Sequence, residues 1–303
     1  MPRMTPRFGR VLTAMVTPFD ARGALDLDAA RRLARWLVEQ GNDGLVVAGT
    51  TGESPTLSDD EKLSLFAALA EAVTVPVIAG TGSNDTAHSV HLTREASRLG
   101  VAGILAVCPY YNRPSQAGIA AHVRAMCAAT SLPVVIYDIP VRTGRKIATA
   151  TLARLAREVP NAAALKDAGG SPAETAVLMS QVPASFELLS GDDNLTLPFL
   201  SVGATGVIGV ATHWTAADHQ EMFAAWERGD TETARLVNER LLESFAFETG
   251  DENPNPIPTK VMMNHLGLGV GEARLPMGPP PPGLAERAAT VMANLVAARA
   301  ARR

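Results

Sequence analysis

Lysine is scarce in this chain, and one lysine stands where its amine could do chemistry. Of the four lysines, Lys166 alone ends an apolar, strand-like run, residues 162–165. An amine buried at such a place loses hydration, which disfavours its charged form and lowers its pKa. A neutral amine can attack a ketone and form an imine that acts as an electron sink. The alternative is that Lys166 only extends from a strand end into water.

The tyrosines share this placement. The chain has only three, and Tyr110, Tyr111 and Tyr137 all follow or end apolar runs. A phenol at such an end can pass a proton between a bound substrate and a neighbouring hydroxyl, which makes Tyr137 a candidate relay with Thr50 or Tyr111. A lone tyrosine there would more simply belong to an amphipathic rim, so this interpretation depends on the set as a whole.

Two further features could hold carboxylates. Residues 49–52 read Gly-Thr-Thr-Gly and offer backbone N–H groups and the hydroxyls of Thr50 and Thr51 to a small carboxylate. Arg142 can bind a second carboxylate through two parallel hydrogen bonds. The alternative for residues 49–52 is an ordinary tight turn, and the alternative for Arg142 is a surface ion pair. Taken with Lys166, they predict an enzyme that forms an imine with a ketone carrying a carboxylate.

Eight short apolar runs would have to position these side chains. They begin 19 to 33 residues apart and are apolar throughout, as strands covered on both faces should be. Helix-start signals lie between them, such as the capping box 58–61 and the acidic Asp28 and Asp85. The pattern predicts an α/β fold, a (β/α)8 TIM barrel with its active site at the strand ends. The runs are 11–16, 44–48, 75–79, 103–107, 133–137, 162–166, 187–190 and 206–210.

The alternative fold is an open doubly wound sheet. It would usually carry a glycine-rich phosphate turn after the first strand, whereas residues 17–20 read Thr-Pro-Phe-Asp. After about residue 212 the sequence becomes helical, with a proline break at 254–258. We therefore expect a catalytic barrel at 1–230 and a small C-terminal helical domain at 231–303.

Composition narrows the class of protein. Hydrophobic residues make up 47% of the chain and charged residues 19%, which suits a full core and does not suit a disordered chain. A net charge of −4, without runs of Lys or Arg, argues against nucleic-acid binding. No stretch approaches the roughly 18 to 20 apolar residues that span a bilayer, so we expect no membrane association.

The cysteines and histidines add little chemistry. Cys108 and Cys127 form neither a metal spacing nor a disulfide framework, and no signal-peptide core follows residues 1–10, so we expect a cytoplasmic protein. His88 and His91 stand three apart on a predicted outer helix, where a solvated face is the simpler interpretation than a metal pair. We expect no metal and no organic cofactor, because a lysine supplies the electron sink.

Nine motifs, in order along nearly the whole chain, carry a resemblance. The sequence resembles the dihydrodipicolinate synthase / N-acetylneuraminate lyase superfamily and, within it, the dihydrodipicolinate synthases. Each motif is modestly specific by itself, and their order and placement at strand ends make the set highly specific. They are 12–19 (LTAMVTPF), 49–54 (GTTGES), 109–116 (PYYNRPSQ), 137–144 (YDIPVRTG), 166–168 (KDA), 189–193 (LSGDD), 206–208 (GVI), 255–258 (NPIP) and 274–276 (RLP).

The resemblance implies a role for each matching catalytic position. Lys166 would form a Schiff base with pyruvate, and Thr50 and Thr51 would hold the pyruvate carboxylate. Tyr137, Thr50 and Tyr111 would form a proton relay, with Tyr111 reaching across a dimer interface. The family is commonly a homotetramer, a dimer of dimers, so the same assembly is expected here.

The resemblance also implies the second substrate. Arg142 would bind the carboxylate of L-aspartate 4-semialdehyde, and the backbones of Gly191 and Ile208 would line the pocket. The product would be 4-hydroxy-tetrahydrodipicolinate, a precursor of diaminopimelate and lysine. N-acetylneuraminate lyases typically have serine where Thr50 stands and no arginine at Arg142. Two alternatives remain, another Schiff-base aldolase or dehydratase for a sugar acid and a non-catalytic barrel that binds pyruvate.

The sequence departs from the family pattern at several places. Asp138 replaces asparagine and Asp167 replaces glutamate, with little expected effect, and Gly209 replaces the more usual serine. In lysine-inhibited members histidines follow the GTTGES loop and a glutamate lies on the next helix, at places that here hold Asp59, Lys62 and His88. We therefore expect weak inhibition or none by lysine.

Overall fold

The centre of the molecule is a closed barrel of eight parallel strands in chain order. The computed structural model describes residues 6–301; residues 1–5, part of the segment weighed as a signal peptide, lie outside them. Val11 of the first strand pairs with Val207 of the last, so the barrel prediction is confirmed and the open sheet is wrong. The strands are Val11–Ala14 (β1), Gly44–Val47 (β2), Val77–Gly80 (β3), Gly103–Val107 (β4), Val134–Asp138 (β5), Ala162–Asp167 (β6), Glu187–Ser190 (β7) and Gly206–Gly209 (β8).

Helices follow the strands, and their starts agree with the capping signals. Ser58 and Glu61 form the predicted capping box, and Asp85 caps its helix. Asp26 is the N-cap of the first helix, while Asp28 lies in its first turn. The helices are Leu27–Glu39 (α1), Asp59–Ala72 (α2), Thr86–Ala96 (α3), Gln116–Ala128 (α4), Pro140–Thr143 (α5), Thr149–Glu158 (α6), Pro172–Met179 (α7), Thr196–Ser201 (α8), Thr212–Glu227 (α9), Thr231–Glu248 (α10), Ile257–His265 (α11) and Leu284–Ala300 (α12).

The strands separate two hydrophobic layers. Alternate residues point into the barrel, where side chains such as Ile78 and Val135 pack with Phe8. The intervening residues pack against the helices in a second, larger cluster. Because both faces of each strand are buried, the strand sequences are apolar throughout. The same alternation directs Tyr137, two residues after Val135, into the barrel.

The chain after α9 returns to the mouth of the barrel. α10 packs against α9, and α12 packs against α11 and α10. The division of the chain into a barrel at 1–230 and a domain at 231–303 stays a prediction. Between residues 6 and 301, no helix combines the length and apolar character needed to cross a membrane.

Candidate active site

Lys166 lies at the end of β6 with its side chain inside the barrel mouth. The residue is only 4% exposed, and its Nζ lies 4.3 Å from the centre of the Tyr137 ring. Burial lowers the pKa of Lys166 to about 8, although the carboxylates of Asp193 and Asp192 favour its charged form. About a tenth of the amine is therefore neutral at pH 7, and this is the form that attacks a ketone.

Tyr137 stands beside Lys166 because the two residues are directly paired in neighbouring strands. Burial raises the pKa of Tyr137 to about 12, and a hydrogen bond with Thr50 offsets part of that rise. The phenol therefore keeps its proton at neutral pH and can both donate and accept a hydrogen bond. Lys166, Tyr137 and Thr50 thus form a contiguous set, as the strand ends predicted.

The threonine loop after β2 has a tightly constrained backbone. Ala48 and Glu53, which flank it, adopt left-handed conformations with φ of 52° and 56°. A Cβ at Gly80 would lie 2.4 Å from the Ala48 carbonyl oxygen, so glycine is required for the two strand ends to approach. The loop therefore presents Thr50 and Thr51 at a fixed place beside the lysine.

The C-terminal region completes this loop, which the sequence did not predict. Asn255 Nδ2 donates to Thr51 Oγ1 at 2.9 Å, leaving the Thr51 hydroxyl hydrogen free to bind a ligand. Lys260 Nζ lies 2.7 Å from Glu53 Oε1, and the Arg274 N–H donates to Glu53 Oε2 at 2.8 Å. The motifs 255–258 and 274–276 begin at Asn255 and Arg274, but neither motif indicated a contact with the threonine loop.

Two adjoining cavities open at the barrel mouth. The inner cavity, about 160 Å³, contains Lys166 and the threonine loop. The outer cavity, about 320 Å³, extends past Tyr110 and Tyr111. The residues that line both cavities are Thr50, Tyr137, Ile139 and Arg142. A small keto acid could therefore bind at the lysine while a second molecule reaches it past Tyr137 and Arg142.

The remaining predicted site residues, Gly191, Ile208 and Tyr111, lie at different distances from the barrel interior. Gly191 lines the inner cavity, and a Cβ there would lie 3.0 Å from Lys166 Cγ, so only glycine leaves room for the lysine. Ile208 packs its side chain into the barrel interior below. Tyr111 is 88% exposed, with a left-handed backbone at φ 68°. Within a single chain, the Tyr111 ring is not packed against the Tyr137 relay.

Three acidic residues face Lys166, two of them buried, and the sequence indicated only part of this set. Asp192 and Asp193 belong to a noted motif, but Glu248 comes from the end of α10 and carried no signal. Burial raises the pKa of Glu248 well above its ordinary value, and the nearby Asp193 charge adds to the rise. Asp192 and Asp193 line the inner cavity together with Glu248.

The two aspartates that depart from the family pattern lie outside this set. Asp138 accepts the Ile147 N–H, and burial raises the pKa of Asp138 to about 7. Asp167 accepts hydrogen bonds from the Gly169 N–H and the Thr175 hydroxyl. The hydrogen bonds of both carboxyl groups therefore go to groups other than Lys166.

The residues expected to weaken lysine inhibition lie together. His88 Nε2 is 2.9 Å from both carboxylate oxygens of Asp59, and Lys62 Nζ is 4.0 Å from Asp59. Burial lowers the pKa of Lys62. Within residues 6–301 no group of three or more His, Cys, Asp or Glu side chains could hold a metal ion, so His88 and His91 are not part of such a group.

The chain is similar to proteins of one enzyme family over most of its length. The model of the dihydrodipicolinate synthetase family matches residues 7–295. The 4-hydroxy-tetrahydrodipicolinate synthase of Moorella thermoacetica is 50% identical over 89% of this chain and 92% of its own.

Solved structures agree with the sequence matches. Dihydrodipicolinate synthase from Cyanidioschyzon merolae, with lysine bound, is 40% identical with a TM-score of 0.92, over 96% of this chain and 99% of that chain. The 4-hydroxy-tetrahydrodipicolinate synthase of Methylacidiphilum fumariolicum is 41% identical with a TM-score of 0.91, over 96% and 97% of the two chains.

Proposed function

The chain belongs to the dihydrodipicolinate synthetase family, and on that premise we propose that it condenses pyruvate with L-aspartate 4-semialdehyde. The products are 4-hydroxy-tetrahydrodipicolinate and water, in the biosynthesis of diaminopimelate and lysine. One observation carries the proposal: a buried amine with its pKa lowered to about 8 lies beside a protonated phenol and a threonine loop. The enzyme is a lyase of the Schiff-base type.

The reaction begins with attack of the neutral Lys166 amine on the keto carbon of pyruvate. Tyr137 donates a proton to the departing oxygen, which leaves as water, and the carbon becomes a protonated imine. Loss of a proton from the pyruvate methyl group then gives an enamine, because the imine nitrogen takes up the electron pair. Thr50 and Thr51 hold the pyruvate carboxylate during these steps.

The enamine carbon then attacks the aldehyde carbon of the semialdehyde. The new oxyanion receives a proton from the Tyr137 and Thr50 relay, which forms the 4-hydroxyl group. The amino group of the semialdehyde next attacks the imine carbon, closes the six-membered ring and displaces Lys166. Arg142 binds the carboxylate of the semialdehyde, which its place beside both cavities allows.

The assembly in this proposal is a cytoplasmic homotetramer built from two tight dimers. In such a dimer Tyr111 of one copy completes the proton relay of the other. Tyr111 and Val141, which are 88% and 85% exposed, supply uncovered apolar surface at the barrel mouth for this contact. Sedimentation of wild type and Tyr111→Arg would test it, and a wild-type monomer with full activity would exclude the role of Tyr111.

The first experiment traps the imine and follows turnover. Borohydride with pyruvate should reduce a Lys166 imine in wild type and none in Lys166→Ala, while Lys146→Ala, a lysine outside both cavities, serves as the control. A coupled assay with both substrates and a downstream reductase should show turnover that Lys166→Ala loses by at least about 10³-fold. Trapping without turnover would favour a sugar-acid aldolase or a pyruvate-binding barrel, and no trapping at all would refute the proposal.

The pH dependence follows from the lowered pKa of Lys166. Only the neutral amine attacks, so the rate of trapping should rise as the pH passes upward through about 8 and then level off. An ordinary exposed lysine would keep rising to about pH 10.4. Stopped-flow mixing with pyruvate over this pH range measures the midpoint of the rate increase.

A further inference from the structure

Two carboxylates from separate parts of the chain hold the backbone that follows β8. The Val210 N–H donates to Asp193 Oδ2 at 2.6 Å, and the Ala211 N–H donates to Glu248 Oε2 at 2.7 Å. Asp193 lies in the loop after β7, whereas Glu248 is the last residue of α10. Both side chains are buried and both line the inner cavity with Lys166.

The two carboxyl groups also lie against each other. The Val210 and Ala211 N–H groups are consecutive along the chain, so the oxygens that accept them, Asp193 Oδ2 and Glu248 Oε2, are held beside each other. Two carboxyl groups so placed can share a hydrogen bond only when one of them carries a proton. Two ionised carboxylates at this distance in a buried place would repel each other strongly. One acidic hydrogen on the pair would remove this repulsion.

The ring of His219, on α9, does not supply this hydrogen. Its Nδ1 lies 3.1 Å from the Thr215 carbonyl oxygen, which can only accept, so Nδ1 is a donor. In a neutral ring Nε2 then carries a lone pair, and it lies 3.8 Å from Asp193 Oδ1, too far for a hydrogen bond. Both Nε2 and Oδ1 are buried without a hydrogen-bond partner among the described residues.

The number of ionised carboxylates beside Lys166 affects how much of its amine is neutral. The carboxylates of Asp193, Asp192 and Glu248 each favour the ammonium form of Lys166, in that order, and burial outweighs them. Every further ionised carboxylate in this cavity would stabilise the ammonium ion and leave less neutral amine to attack a ketone. A neutral acid among the three would therefore favour the neutral amine of Lys166.

We propose that Glu248 is a positioning residue that stays protonated beside Asp193, so that the pair carries one negative charge and Lys166 can lose its proton. The Glu248 hydroxyl donates to Asp193, and its other oxygen accepts the Ala211 N–H, which fixes the backbone next to β8. The proposal rests on Lys166 as the amine that attacks pyruvate.

Charged and titratable groups approach the pair from three directions, and a fourth group acts on Lys166. Lys166 comes from β6, Asp192 from the loop after β7, and His219 from α9. Arg142, on α5, acts on Lys166 and disfavours its ammonium form. The pH dependence of a Glu248 variant is therefore measured with Lys166, Asp192, His219 and Arg142 unchanged.

Infrared spectroscopy tests the protonation state directly. Wild type should show the carbonyl band of a protonated carboxylic acid above neutral pH, and Glu248→Gln should lack it. Glu243→Gln, an exposed glutamate on the same helix, is the control and should keep the band. Absence of the band from wild type would overturn the proposal.

The pH dependence of imine trapping gives a second, independent readout. Glu248→Gln should keep the wild-type midpoint, because a neutral amide replaces a neutral acid. The double variant Asp193→Asn with Glu248→Gln removes the remaining charge, so its midpoint should move to lower pH by about one unit or more. A shift of that size in Glu248→Gln alone would overturn the proposal.

Two checks distinguish an effect on the protonation of Glu248 from a folding defect and from a failure of the proposed function. Circular dichroism and thermal unfolding identify the variants that fold, and the infrared comparison decides alone if the double variant does not. If wild type forms no imine with pyruvate, the proposed function fails, while the carboxylic acid band still tests the state of Glu248.

Discussion

The two cavities at the barrel mouth are built in different ways. Around the inner cavity, Lys166 is 4% exposed and its neighbours are held by buried contacts, several of them from the C-terminal region. Around the outer cavity, Tyr111 is 88% exposed, and both Tyr111 and Arg113 have left-handed backbones. The inner cavity therefore holds the buried amine that forms the imine, whereas the outer cavity borders the exposed Tyr111, past which we expect the second substrate to enter.

After removal of Lys166 itself, the largest effect is expected at the boundary between the two cavities. Tyr137→Phe keeps the ring but removes the hydroxyl, so kcat/KM should fall by about 10² to 10³-fold through loss of the proton relay. The coupled assay measures this, and borohydride trapping should slow as well, because the departing water needs a proton. Activity within about twofold of wild type would remove Tyr137 from the relay.

Arg142→Ala should affect the outer cavity and spare the inner one. The KM for the semialdehyde should rise by about 10 to 100-fold, as expected for loss of a hydrogen-bonded charge pair. Trapping of the pyruvate imine should remain close to wild type. Arg157→Ala, an exposed arginine on α6, is the matched control. Equal damage to trapping and to semialdehyde use would mean that the two cavities do not act separately.

Asn255→Ala should have a smaller effect, confined to the inner cavity. Loss of its hydrogen bond lets Thr51 turn away from the pyruvate carboxylate, so the KM for pyruvate should rise by about 5 to 10-fold. In a Thr51→Val background the same change should have little further effect, which a double-mutant cycle measures. Asn294→Ala, on α12, is the control, and fully additive effects would exclude the contact as the cause.

The smallest effect concerns lysine itself. Asp59 is already paired with His88 and lies 4.0 Å from Lys62 Nζ, so its carboxylate is not free to bind the ammonium group of a lysine molecule. Millimolar lysine in the coupled assay should leave most of the activity. Strong inhibition would show that these residues do not prevent the ligand from binding near the outer cavity.

Much of the fold was predictable because its signals are local. The eight apolar runs correspond to the eight strands, and the barrel follows from strands buried on both faces. The capping box at 58–61 marked its helix correctly. The strand ends also placed Lys166, Tyr137 and Thr50 together, because parallel strands bring their C-terminal ends to one face of a barrel.

The sequence by itself determined the barrel, the position of the lysine and the tyrosine beside it, since alternation along a strand decides which side chains point inward. Only the tertiary structure decided what surrounds them. Asn255 contacts Thr51 across 204 residues, and Glu248 reaches the β8 turn from the end of a helix that carries no catalytic pattern. Such contacts depend on how the C-terminal helices pack over the barrel mouth, which local periodicity does not encode.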